Sequence, residues 1–205
     1  MRSFRSLAAL AAWSGLLLQY FLMVQGQAGA DFATRTVNFF SYFTILSNLL
    51  AALAMSAPTL APASPLGRFF AGPAVRTAVV LYTSVTTVTY MTVLQGLWNP
   101  RGLHLVADIT LHYVTPTLFL LDWLAFTPRG ALRPAMALAW LAFPLGFGAY
   151  SLARGPFAGF YPYPFLDVSD LGYARVLANM GVMGALFLAV GLGFVLLNRL
   201  LGRRA

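Results

Sequence analysis

Six apolar segments, each long enough to cross a lipid bilayer, occupy most of the chain. They lie at 7–24, 37–57, 74–94, 103–126, 134–152 and 175–198. The hydrocarbon core of a bilayer is about 30 Å thick, and a helix needs about 20 apolar residues to cross it. The separators are rich in proline, glycine and serine, which end helices. Because backbone groups in lipid must be hydrogen-bonded within their own segment, we expect an all-α bundle of six transmembrane helices.

The composition agrees with a membrane protein built as a single domain over residues 1–205. Only 9% of the residues are charged, whereas soluble domains carry about 25%, and the mean hydropathy is +0.76. The chain has no cysteine, which excludes disulfides, thiolate metal sites and cysteine nucleophiles. All 13 basic residues are arginine, a bias that indicates a GC-rich bacterial gene. We therefore expect the protein in a bacterial cytoplasmic membrane.

The arginines predict the orientation in that membrane. If the N-terminus is cytoplasmic, nine arginines fall on the inner side. The four on the outer side are Arg35, Arg101, Arg154 and Arg175. Because cytoplasmic loops are enriched in positive charge, this distribution favours a cytoplasmic position for both termini. The arginines stand singly between apolar runs and form no basic face, so the net charge of +8 does not indicate nucleic-acid binding.

The first segment has one alternative interpretation. Arg2, Arg5, the apolar run and the small residues at 28–30 together resemble a cleavable signal peptide. The apolar run at 7–24 spans 18 residues, whereas the apolar core of a signal peptide usually spans about 7 to 15. A retained membrane helix is therefore the favoured interpretation, and the other five segments are the same in either case.

An ionisable pair inside the fourth segment is the strongest functional signal. Asp108 and His112 stand one helical turn apart in a chain with five acidic residues and two histidines. Such groups are costly in hydrocarbon, and they usually face a polar interior or take part in chemistry. At a rise of 1.5 Å per residue, His112 lies about 13 Å along its helix and Thr44 about 10 Å along the second. The two side chains are therefore expected at the same depth.

Polar residues at helical spacing predict a cavity around this pair. The second segment contributes Ser41, Thr44 and Asn48, and the fourth contributes His104, Asp108, His112 and Thr115. The third adds Thr83, Thr86, Thr87 and Tyr90. Each set recurs at three- or four-residue steps, which places its members on one face of a helix. If the faces converge, they line a polar cavity in the outer half of the bundle.

These groups support hydrolysis through a hydroxyl nucleophile. His112 would act as the general base and Thr44 as the nucleophile. Asp108 could accept the second ring N–H of His112 and thereby fix its tautomer. Ser41, Asn48 and Tyr90 are the candidate donors to an oxyanion. This chemistry needs no cofactor.

Several short motifs resemble one known family. They are FFSYFTILSN at 39–48, LHYVTP at 111–116, LDW at 121–123 and YPFLD at 163–167, followed by Gly172 and Arg175. In this order they resemble the androgen-induced gene and androgen-dependent TFPI-regulating protein family, and most closely its bacterial six-pass branch. Members are membrane-embedded threonine hydrolases that cleave fatty acid esters of hydroxy fatty acids. The resemblance implies that Thr44 is the nucleophile and His112 its base.

The substrate would then be a lipid that enters sideways from the outer leaflet. If it carries a free carboxylate, Arg101, Arg154 or Arg175 near the outer mouth could bind that group.

Two other functions use the same residues. His104, Asp108 and His112 are ligand types suited to zinc, but they extend over about 12 Å of one helix and no third histidine completes a site. We therefore expect no metal. In a non-catalytic binding or transport protein, the buried pair would instead hold a proton or a polar ligand. The sequence leaves the oligomeric state open.

Overall fold

The computed structural model describes residues 2–26 and 31–202, and these residues form helices and turns without a β-strand. Six stretches are long and apolar enough to cross a membrane. They are Arg2–Gln25, Phe43–Leu60, Pro73–Leu97, Leu103–Phe126, Pro134–Ala158 and Val168–Gly202. The prediction of an all-α membrane bundle is confirmed. The small residues at 28–30 that suggested signal cleavage lie outside the described residues, as do Arg203 and Arg204.

Several of these spans are interrupted. The α-helices are α1 (Arg2–Gly26), α2 (Phe32–Phe40), α3 (Phe43–Leu60), α4 (Pro65–Ala71), α5 (Pro73–Thr89), α6 (Leu103–Ile109), α7 (Thr115–Phe126), α8 (Pro134–Ala139), α9 (Ala142–Ala158) and α10 (Val168–Gly202). Wider π-helical turns at Tyr90–Leu94 and Thr110–Val114 extend α5 and join α6 to α7. Tighter 3₁₀ turns lie at Gln95–Leu97 and Pro164–Leu166.

Two differently built cores flank α3 and α5. Where α1 packs against α3, the buried side chains include Ala8, Ala12, Ala51 and Ala54. Small residues let helix backbones approach closely, which favours helix association in lipid. On the other side, α5, α9 and α10 bury aromatic rings, among them Tyr82 and Phe187. The candidate site lies between these two cores.

The second apolar segment is two helices, so the prediction of one continuous helix over 37–57 is wrong. The chain breaks at Ser41 and Tyr42, where Tyr42 adopts an extended conformation with φ −94° and ψ 130°. The Ser41 hydroxyl donates to the carbonyl of Val37 at 2.7 Å and lies 2.8 Å from the hydroxyl of Tyr150. Serine competes in this way for backbone groups at helix ends. Thr44 consequently lies in the first turn of α3 and not inside a longer helix.

The sixth span also contains a break. Gly172 has φ 71° and ψ 158°, which is not helical and which side chains rarely adopt. It separates a short first turn from the long helix that follows. The predicted segment at 175–198 corresponds to that longer part.

A buried charge cluster joins three spans away from the candidate site. Asp122 on α7 has no exposed surface, and its carboxylate accepts hydrogen bonds from Arg5 and Arg76. The Arg5 bond measures 2.7 Å, and Arg76, which is 1% exposed, also donates to the carbonyl of Ala54. Two arginines on one carboxylate leave one net positive charge inside the bundle. The cluster connects α1, α5 and α7, so its loss would affect all three helices.

Candidate active site

A cavity of about 550 Å³ lies within the bundle beside the start of α3. Its polar and aromatic lining includes Thr44, Tyr90, His104, Asp108 and His112. Apolar residues of α1, of the turns that follow α5 and of the loop between α9 and α10 also line it. The structure therefore brings four of the residues expected at the site, Thr44, Tyr90, Asp108 and His112, to one space.

Thr44, His112 and Asp108 form a linear array along this cavity. The Thr44 hydroxyl oxygen is 3.5 Å from Nε2 of His112. The other ring nitrogen, Nδ1, is 3.1 Å from the backbone oxygen of Asp108 and 3.2 Å from its carboxylate Oδ1. Nδ1 makes its hydrogen bond to the backbone oxygen, while Oδ1 is close but has no hydrogen-bond partner, so the predicted bond from the ring to the carboxylate is not formed. The backbone acceptor assigns the ring proton to Nδ1. Nε2 is then the unprotonated nitrogen, and it faces the threonine hydroxyl.

Tyr90 holds this array in place. Its hydroxyl donates to Asp108 Oδ2 at 2.7 Å. Its ring stacks on His112 with centroids 3.7 Å apart and planes 13° from parallel. Tyr90 was predicted as an oxyanion donor, but its proton is directed to the carboxylate of Asp108. The side chain therefore orients both the imidazole and the carboxylate.

The position of His112 follows from an irregular backbone. In the π-helical turn Thr110–Val114, the N–H of Thr115 bonds the carbonyl of Thr110, five residues earlier. Pro116 has no N–H to donate. The carbonyls of Leu111 and His112 therefore lose their usual helical donors.

Polar side chains of α3 and α5 replace those donors. Asn48 donates to the carbonyl of Leu111 at 3.0 Å, and Thr87 donates to that of His112 at 2.9 Å. Backbone groups buried away from water must find partners, and here the partners come from the neighbouring spans. Such π-helical turns are frequently found at functional sites. The bond from Asn48 to Leu111 thus links the fourth span to α3 near Thr44.

Tyr163, the first residue of the YPFLD motif, lies beside Thr44, although the sequence suggested no role for it at the site. Its hydroxyl is 3.3 Å from the Thr44 hydroxyl and accepts the N–H of Thr44 at 3.1 Å. The ring stacks on Phe165 with planes 2° from parallel, in the loop that the Pro164–Leu166 turn shapes. Burial raises the pKa of Tyr163 to about 12. The phenol therefore keeps its proton near neutral pH and can donate it toward Thr44.

Ser41 and Asn48 do not face the cavity as oxyanion donors. Ser41 is used at the end of α2, where it bonds Val37 and Tyr150. The Asn48 amide donates to the carbonyls of Thr44 and Leu111 at 2.8 and 3.0 Å. Because both donors of that amide are already engaged, Asn48 has a bracing role.

The three arginines that were expected to bind a substrate carboxylate do not come together at the cavity. Arg154 donates to Asn38 at 2.6 Å and lies over the ring of Phe160. Arg101 and Arg175 are exposed. Among the described residues, these three arginines are not part of the lining of the 550 Å³ cavity.

The residues considered for zinc form no recognisable metal site. Within residues 2–26 and 31–202, no three histidine or acidic side chains come together in a group that could hold a metal ion. His104, Asp108 and His112 line the same cavity, but the imidazole of His112 is directed to Thr44 and to Asp108.

Comparison of the chain with protein-family models, curated proteins and solved structures finds no match. The family resemblance of the short motifs therefore stays a prediction.

Proposed function

We propose that the protein is a membrane-embedded hydrolase that cleaves carboxylic esters of lipids, with Thr44 as nucleophile. The observation that carries this proposal is the array of hydroxyl, imidazole and carboxylate inside a cavity, with 3.5 Å between Thr44 Oγ1 and His112 Nε2. The same order of groups activates the hydroxyl in nucleophilic acyl transfer. Catalytic hydrogen bonds are often long before substrate binds and shorten in the complex, so the distance suits this role.

The reaction would proceed in two steps. Thr44 Oγ1 attacks the ester carbonyl carbon while its proton moves to Nε2 of His112. The bond to the alcohol oxygen then breaks, and His112 returns the proton to that oxygen. In the second step, water gives a proton to His112 and attacks the acyl–threonine carbon, and the proton returns to Thr44 as its bond to carbon breaks. Asp108 stabilises the imidazolium that forms in each step.

The negative charge of the tetrahedral intermediate requires donors near Thr44. One is suitably placed, the hydroxyl of Tyr163, which in turn accepts the backbone N–H of Thr44. Thr44 is the second residue of α3, and the first N–H groups of a helix have no helical acceptor. The positive end of the helix dipole adds to the stabilisation. The hydroxyl of Tyr163 replaces Ser41, Asn48 and Tyr90 as our candidate oxyanion donor.

The surroundings of the site support a lipid ester as the substrate. The cavity lies in a bundle whose spans are apolar enough to cross a membrane, and much of its wall is apolar. A lipid ester fits this environment, and the family resemblance favours fatty acid esters of hydroxy fatty acids. We place the enzyme in a bacterial cytoplasmic membrane with both termini inside, as the arginine distribution favours.

A fluorophosphonate probe tests this function directly. Thr44 Oγ1 would displace fluoride from phosphorus and keep the phosphonate, so we expect the purified protein to be labelled at Thr44. Peptide mass spectrometry identifies the modified residue. Protein denatured before exposure to the probe is the control, since unfolding separates Thr44 from His112. Labelling that spares Thr44 in the folded protein would instead favour the binding or transport function.

Tyr163→Phe tests the oxyanion donor. Loss of one such donor lowers kcat by about 10²- to 10³-fold in hydrolases, and we expect an effect of this order. Measured with a short-chain ester, kcat should fall while KM changes little, because the bond forms mainly in the transition state. Since the raised pKa keeps the phenol protonated, the wild-type rate should not decline around pH 10. If the wild-type and Tyr163→Phe proteins have equal kcat, Tyr163 is not an oxyanion donor.

A further inference from the structure

Thr44 also borders a second, smaller cavity. It measures about 80 Å³ and lies between α5, α9 and α10. Its wall is mostly apolar and includes Val85, Leu145, Gly148, Met180, Gly184 and Phe187. Thr44 and Tyr163 also line it, so these two side chains border both cavities.

The two cavities differ in their access to the base. His112 and Asp108 line the larger cavity and are not part of the lining described for the smaller one. In acyl transfer, the base must return its proton to the oxygen of the departing alcohol. That oxygen must therefore lie within hydrogen-bond reach of His112 Nε2, which places the alcohol part of the ester in the larger cavity. The acyl chain then needs a different path away from Thr44.

We propose that the smaller cavity is the binding site for the acyl chain of the ester, an inference that rests on the proposed hydrolase function. Its apolar wall suits a hydrocarbon chain, whose transfer from water is favourable. Leu145, on its lining, is 50% exposed at the surface of the bundle. A chain longer than the cavity passes this residue and continues into the lipid around α9 and α10.

Two glycines on facing helices leave the space open. A Cβ atom on Gly148 would come within 2.4 Å of the terminal methyl of Met180, so a side chain there would displace that methionine. A Cβ atom on Gly184 would meet nothing within 4 Å. A larger residue at position 184 would therefore project into free space at the cavity without striking the backbone.

Gly184→Leu provides the test, with p-nitrophenyl acetate and p-nitrophenyl decanoate as substrates. We expect kcat/KM for the decanoate to fall at least about tenfold, since lost contacts with even one methylene have effects of this size. For the acetate, kcat/KM should stay within about twofold, because its acyl group does not extend beyond the region of Thr44. Gly181→Leu is the matched control. That glycine is on the same helix, is also open at Cβ, and does not line the cavity.

A second substrate series separates the two cavities. Methyl acetate and decyl acetate vary the alcohol instead of the acyl chain, and Gly184→Leu should leave their ratio of kcat/KM unchanged. If Gly184→Leu changed the kcat/KM ratio only in this alcohol series, the smaller cavity would bind the alcohol part of the ester, and the proposal would be overturned. If Gly184→Leu does not fold, Gly184→Ala adds one methyl to the same space and should shift the acyl ratio in the same direction by about twofold or more.

The outcomes separate this proposal from the function on which it rests. If the wild-type protein cleaves none of the four esters, the proposed hydrolase function is itself contradicted. Wild-type protein that cleaves them, together with a folded Gly184→Leu variant that keeps the wild-type acetate-to-decanoate ratio, would overturn the acyl site alone.

Discussion

Ester hydrolysis by the Thr44→Ala protein should fall by a factor of about 10³ or more, because the nucleophile of the proposed reaction is then missing. His112→Ala should cause a loss of similar size, and the double variant little more than either single one. Residues that act in one step are strongly non-additive in this way. Initial rates with p-nitrophenyl acetate, normalised to folded protein, provide the measurement.

Two further threonine variants make this result interpretable. Thr44→Ser keeps the hydroxyl and should retain measurable activity. Thr83→Ala is the matched control, since Thr83 is fully buried, bonds the carbonyls of Val79 and Val80, and is not part of the lining of either cavity. It should hydrolyse at the wild-type rate. A folded Thr44→Ala protein with wild-type activity would end the threonine-hydrolase proposal.

Asp122→Ala should lower the free energy of unfolding by about 3–5 kcal/mol, the usual cost of removing one partner from a buried ion pair. Arg5 and Arg76 would be left without their shared carboxylate, and Arg76 is almost fully buried. Thermal unfolding in detergent, followed by circular dichroism, provides the measurement. Asp170→Ala, at an exposed position, should unfold at the wild-type midpoint.

The same variant separates stability from catalysis. Asp122 does not line either described cavity, so hydrolysis per folded molecule should be unchanged below the unfolding transition. An Asp122→Ala protein with the wild-type midpoint would show that the buried charge cluster of Arg5, Arg76 and Asp122 contributes little net stability. Wild-type stability combined with lost hydrolysis would instead connect Asp122 to the reaction.

Hydropathy predicted the six spans because lipid demands long apolar helices, whatever their detailed packing. It could not locate the break at Ser41 and Tyr42, since both residues lie within a continuous apolar run. The predicted depth of Thr44 therefore started from the wrong helix end. The 3.5 Å approach to His112 depends on the new helix that begins at Phe43 and on the widened turn around His112.

Residue types at helical spacing identified Thr44, Asp108, His112 and Tyr90, because ionisable and hydroxyl groups are conspicuous in apolar helices. Spacing did not fix their hydrogen-bond partners, so the role expected for Tyr90 changed once its bond to Asp108 was known. Tyr163 could not be found in this way. It lies in a loop, where no periodicity relates sequence to position, and it reaches Thr44 only through the tertiary fold.

Asn48 mechanically couples Thr44 and His112, the proposed catalytic pair. One amide group donates both to the carbonyl of Thr44 and to that of Leu111, the residue before His112. A motion that pulled α3 away from the fourth span would have to break the bond from Asn48 to Leu111 in an apolar interior, where unpaired backbone groups are costly. We therefore expect Thr44 and His112 to move together. In the proposed enzyme, the movement that admits a lipid would then fall to parts of the cavity wall outside α3 and the fourth span.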